Sequence, residues 1–153
     1  MLKSLDRSLG VIASAAVLAL AFAVPGTGQD AAPADAGGIT TATPVYTQEQ
    51  ADAAKSTYAR VCASCHGDKL QGSGNAPPLS GFAFTSYWNG KPISGLMEAL
   101  HRMPADNPGS LTEKQYAELL ALILEFNESP AGDTELTSDM DALEAITLEA
   151  PAQ

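Results

Sequence analysis

Basic side chains are scarce in this sequence: 8 Lys and Arg stand against 18 Asp and Glu, for a formal net charge of −10 at pH 7. Binding a phosphate backbone needs clustered Lys and Arg to displace its counterions, so nucleic acid is excluded as a partner. The acidic balance suits a basic protein surface or plain solubility. Long apolar runs are lacking too. The longest, Leu9 to Val24, falls short of the roughly 20 residues that cross a bilayer, so association with a membrane is expected only through partners. No alternation of apolar and polar residues marks a strand, and there is neither an internal repeat nor a strand-helix-strand pattern. What remains is an all-α reading.

The first 28 residues must be explained before their apolar content is credited to a core. Lys3 and Arg7 precede the apolar run, and Pro25-Gly26 with small residues follows it, the order of a secretory signal peptide. Cleavage after Ala23 and cleavage after Gly28 are both compatible with the small residues there, and either leaves a periplasmic or secreted protein. From Gln29 to Pro44 the composition is Ala, Pro, Gly, Asp and Thr, too little apolar area to offset the entropy of ordering it. Residues 29–46 therefore read as a flexible linker.

Thr47 with Gln50 has the form of a capping box. Ala51, Ala54, Tyr58 and Val61 then recur at helical spacing, predicting a helix from about Gln48. Between Gly67 and Gly90, five glycines and Pro77-Pro78 break every period, which reads as a long loop. A short helix is expected from Gly95 to Arg102, stopped before Pro104, and "MPADNPG" is turn chemistry. Thr112 with Gln115 repeats the capping box, and Tyr116, Leu119, Leu120 and Ile123 carry a helix through about Phe126. Residues 129–153 form an acidic extension in which Leu136, Leu143, Ile146 and Leu148 are placed to dock on the body. Two or three helices and a Gly/Pro loop leave few apolar side chains to fill their own middle. A bound group is expected there, and without it a largely unfolded chain.

Cys62-Ala63-Ser64-Cys65-His66 is the pattern for covalent attachment of c-type haem. On one helical turn, thiols three positions apart reach the two vinyl groups of a porphyrin, and the next residue places its imidazole under the iron. Three other readings use the same residues. A dithiol redox pair needs a strand-helix-strand setting that is not seen. Zinc needs four ligands, which Cys62, Cys65, His66 and His101 would supply. The third is a structural disulfide. None of them accounts for the small core and the long wrapping loop.

"YARVCASCHG", "APPLSG" and "RMPADNPGSLTEKQYAELLALILEFNE" resemble, in turn, the N-terminal helix and haem site, the proline loop, and the methionine loop and C-terminal helix of small class I cytochromes c. The resemblance covers about residues 47–128. Within that family, "MP…NPGSL" and "SPAGDTEL" are most similar to the cytochrome c domains and subunits that accompany quinoprotein dehydrogenases. The resemblance implies the cytochrome c fold, with N- and C-terminal helices packed around one haem c. It implies that Cys62 and Cys65 form the thioethers, that His66 is the proximal and Met103 the distal iron ligand, and that the Pro77 carbonyl accepts the proton of the proximal imidazole. Trp88 resembles the indole that donates to a haem propionate. The chain departs from the family pattern at Ala54, where glycine is usual, and at Leu122, where an aromatic is usual. An added methyl on one helix and lost ring volume on the other are expected to compensate.

Met97 and His101 compete with Met103 for the sixth position. Met97 sits mid-helix among leucines, where methionine is more often filler, whereas Met103 lies where the chain leaves the helix before a proline turn. His101 would give a bis-imidazole iron instead. With His66 and Met103 as ligands, the expected function is that of a one-electron carrier, taking electrons from a dehydrogenase and passing them to a terminal oxidase or another cytochrome. Two alternatives stand beside it: a haem sensor or catalytic haem with a labile Met, and a fixed electron-transfer subunit of a dehydrogenase complex.

Overall fold

Two capped helices organise the fold. The computed structural model describes residues 38–74 and 76–151; the signal peptide read at 1–28 and the first part of the linker, 29–37, lie outside the described residues. Helix α1 (Gln48–Val61) starts at Thr47, whose side chain accepts from the Gln50 backbone while the Gln50 side chain returns to the Thr47 backbone. The first turn's orphan donors are thereby satisfied. Thr112 and Gln115 repeat the arrangement at the start of α5 (Glu113–Phe126). These two helices make the most extensive contact among the described elements. Ala51 and Ala54 are fully buried on α1, and such small side chains let helix axes approach closely.

The remaining elements are shorter. In chain order they are β1 (Ile39–Thr40), α2 (Ala63–His66), α3 (Phe82–Trp88), α4 (Ile93–His101), α6 (Met140–Glu144) and β2 (Ile146–Thr147). Helix α4 packs against α5 on one side and α6 on another. Every residue of α5 from Tyr116 to Leu124 is buried, so this helix is enclosed on all sides, as a helix apolar nearly all round should be. Among the described residues no helix is long and apolar enough to cross a membrane.

Three sequence expectations need correction. Residues 38–46, read as the end of a flexible linker, are docked. Strand β1 pairs in parallel with β2, Ile39 opposite Ile146 and Thr40 opposite Thr147, while Thr41, Val45 and Tyr46 are buried. Their partners lie about a hundred residues away in the C-terminal extension, and long-range pairing of this kind offsets the ordering entropy that local composition cannot. The region from Gly67 to Gly90, read as unbroken loop, contains α3. That helix is seven residues long and Gly81 at its start makes no side-chain cap, so it falls below the window in which periodicity speaks. Finally, the protein's own apolar core is larger than expected. Ile93, Met97, Leu119, Leu120, Leu122, Ile123, Leu124 and Leu143 are all within 2% of full burial.

The extension docks through the residues expected to do so, since Leu136, Leu143, Ile146 and Leu148 are all buried. Polar bonds fix its path. The Gln50 side chain donates to the Leu136 carbonyl at 2.8 Å and accepts from the Leu136 amide at 2.7 Å, a side chain standing in for a strand partner. Gly132 donates to the Tyr46 carbonyl at 2.8 Å, and Ser94 on α4 bonds to Glu144 on α6. Leu148 and Lys91 then join through a 2.9 Å backbone bond.

Candidate functional site

Helix α1 ends at Cys62, whose amide bonds back to the Tyr58 carbonyl. The Cys65 and His66 amides both reach the Cys62 carbonyl, at 3.1 and 2.9 Å, so Cys62 to His66 form one helical turn. Both thiols are free; Cys65 is exposed and Cys62 partly buried. Burial, with the neighbouring Cys65 as the lesser cause, pushes the Cys62 thiol up to about 11, which keeps it protonated at neutral pH.

The chain then folds back. Gly67 takes a φ of +79°, the left-handed region glycine tolerates, and the Gly72 amide bonds the His66 carbonyl at 2.7 Å. Gly72 also has a positive φ, and a Cβ there would meet Pro78 N at 2.6 Å and Pro77 C at 2.9 Å. This glycine therefore permits the close approach that brings Pro77 to the histidine. The Ser73 hydroxyl donates to the Cys65 carbonyl at 2.6 Å, and the Tyr58 hydroxyl to the Gly67 carbonyl at 2.7 Å. The result is that Pro77 O lies 2.9 Å from His66 Nδ1. A carbonyl can only accept, so Nδ1 carries a proton, and in the neutral imidazole Nε2 is the bare nitrogen.

The structure thus gathers Cys62, Cys65, His66 and Pro77 into one turn and loop. Met103 and Trp88 lie elsewhere in the chain, one after α4 and the other at the end of α3. Met103 follows α4, its amide bonded to the Leu100 carbonyl at 2.8 Å and its carbonyl accepting from the Tyr116 hydroxyl at 3.0 Å. Its side chain is partly exposed. Trp88 ends α3, half-buried, with the Tyr87 ring edge-on at 5.1 Å; Gly95 of α4 is close enough that a Cβ there would lie 3.4 Å from the indole.

The competing candidates are engaged elsewhere. Met97 is fully buried in the core on α4. His101 Nε2 is 3.2 Å from Glu113 Oε2, and its ring meets Tyr116 edge-on at 4.5 Å. Among the described residues no three His, Cys, Asp or Glu side chains group into a metal set, so the four residues considered for zinc are not assembled. Gly72, Ser73 and Tyr116 are contributors that sequence reasoning missed. Only the glycine in the loop carried any local signal.

The two long helices pack on one another, and a Cys-Ala-Ser-Cys-His turn closes the first of them, the arrangement of an all-α cytochrome c fold. Residues 49–123 match the family model described as "Cytochrome C oxidase, cbb3-type, subunit III", a cytochrome c domain. Neither the comparison with curated proteins nor that with solved structures returned a match. A cytochrome c domain carries haem c, an iron porphyrin bound covalently. The donors present fit it: two free thiols on one turn and an imidazole with Nε2 bare.

Proposed function

We propose that this chain is a periplasmic or secreted monohaem electron carrier, in which Cys62 and Cys65 hold the haem and His66 and Met103 ligate its iron. Haem c supplies a centre that exchanges one electron by cycling between ferrous and ferric iron. The residues do the rest. Pro77 O fixes the imidazole tautomer and makes His66 a stronger donor through Nε2. A thioether ligand from Met103 would favour ferrous iron and raise the potential. The observation that carries this reading is the His66–Pro77 hydrogen bond on the residue directly after the cysteine pair.

The expected donor, from the motifs around Met103, is a quinoprotein-type dehydrogenase. The expected acceptor is a terminal oxidase or another cytochrome, and the match to a family described as an oxidase subunit supports the oxidase. That description also favours a second reading, a fixed subunit of an oxidoreductase complex rather than a shuttle. Gel filtration alongside a candidate partner separates the two.

Substitution tests the ligand assignment. Met103→Ala should abolish the weak near-infrared sulfur-to-iron band of the ferric protein and lower the potential, leaving the thioethers intact. Met97→Ala should keep the band and cost about 2–5 kcal/mol of stability, the range for truncating a fully buried Met. Loss of the band in the Met97 variant and its retention in the Met103 variant would invert the assignment. A spectral change in His101→Ala alone would make the iron bis-imidazole and the carrier role at high potential untenable.

A further inference from the structure

We propose that Tyr116 is a positioning residue that holds Met103 in place through a hydrogen bond to the Met103 carbonyl. The proposal rests on the reading of Met103 as the sixth ligand and adds what keeps that ligand bound.

The loop after α4 has little to hold it. Residues 105–110 are all exposed, as are Arg102 and Met103 before them, and Pro104 is only partly buried, so no fully buried apolar side chain anchors this stretch. Its backbone ties are the Arg102 amide to Ala99 at 3.2 Å, the Met103 amide to Leu100, Asn107 to Pro104 at 3.0 Å, and Gly109 to His101 at 3.1 Å. All of these close the loop on itself or on the end of α4. Among the described residues, the Tyr116 hydroxyl makes the one side-chain hydrogen bond from another helix to the backbone of residues 102–110, at 3.0 Å from the Met103 oxygen.

The donor is itself rigidly placed. Tyr116 is 1% exposed, in the first turns of the capped and enclosed helix α5. Its ring is met edge-on by His101 at 4.5 Å, and His101 is held by Glu113 at 3.2 Å. A buried hydroxyl needs a partner, and here the partner is the carbonyl of the residue whose sulfur must stay in place. A bond from a packed helix to a loop residue restricts where that residue's side chain can go.

The test uses the ferric holoprotein and imidazole as a competing ligand. Tyr116→Phe removes one buried oxygen and should leave the near-infrared band present in the absence of imidazole. It should tighten imidazole binding about two- to tenfold, the range one neutral hydrogen bond supplies. The matched control is Tyr46→Phe, because Tyr46 is also 1% exposed and also donates to a backbone carbonyl, Ser129 O at 2.8 Å, but lies on another part of the chain. It should leave imidazole affinity unchanged. An unchanged affinity in Tyr116→Phe overturns the proposal, and so does an equal shift in both variants, which would report general loosening. In the wild-type holoprotein the Tyr116 hydroxyl proton should exchange slowly enough to be seen by NMR; exchange as fast as that of free tyrosine also overturns it. Failure of the underlying ligand reading looks different, since the band would then survive Met103→Ala.

Discussion

A tyrosine buried in a small protein must find a partner for its hydroxyl, and Tyr46 finds the Ser129 carbonyl at 2.8 Å. Burial, with the nearby Glu125 carboxylate as the lesser cause, holds its phenol above the ordinary value of 10.0. The sign of the consequence follows. Above about pH 10 the unfolded chain has released this proton while the folded protein still binds it, so stability falls as pH rises from there through the higher folded value. Urea midpoints at pH 8 and pH 11 should show a smaller loss for Tyr46→Phe than for the wild type; equal losses would clear Tyr46 of the effect. At neutral pH the same variant should be less stable by about 1 kcal/mol, one buried hydrogen bond. At this scale the cysteine pair and His66 were legible because their chemistry dictates their spacing. The Pro77 contact followed only from resemblance, since nothing in "NAPPLSG" itself points at a histidine. Tyr116 was legible as a core residue and not as a hydrogen-bond donor, because its acceptor is a backbone oxygen thirteen positions away.

Helices announced themselves where side chains cap and repeat. Both capping boxes were readable, and α1 and α5 begin where Thr47 and Thr112 place them. Helix α3 and the two-residue strands were not, because elements this short are set by what they pack against. The C-terminal extension is the clearest case: its apolar positions were visible, while the β1 partner that it pins was hidden by an Ala/Pro/Gly composition. Gln50 is the polar anchor of that docking, 6% exposed and bonded twice to Leu136. Gln50→Ala should strand a buried amide and carbonyl and destabilise the holoprotein by about 1–3 kcal/mol, measured by urea unfolding; a neutral effect would mean that water replaces the side chain. On α1 and α5, which pack on one another, Ala54 and Leu122 are both essentially fully buried. A double-mutant cycle of Ala54→Gly and Leu122→Tyr should show coupling, and additive energies would remove the case for compensation.

For the molecule as a whole, the packed helices and the docked extension supply most of the apolar core, to which the Cys62–Pro77 loop adds Leu70. The sequence pattern underestimated it because α5 was read as one apolar face, whereas every side chain from Tyr116 to Leu124 is buried. That core weighs against the expectation of a largely unfolded apoprotein, which hydrogen exchange tests. In the Cys62→Ala/Cys65→Ala variant, amides of α5 should stay protected from hydrogen exchange while those of residues 67–81, where among the described residues Leu70 alone is buried, exchange freely. Uniform loss of protection would restore the original expectation. Function hangs on a different property of the whole, whether both axial positions are filled by the chain. A carbon monoxide titration of the reduced holoprotein at neutral pH asks this directly. The carrier account predicts no binding at concentrations that saturate five-coordinate haem, because His66 and Met103 hold both positions; rapid, saturable binding would contradict it and make the protein a ligand sensor or a catalyst.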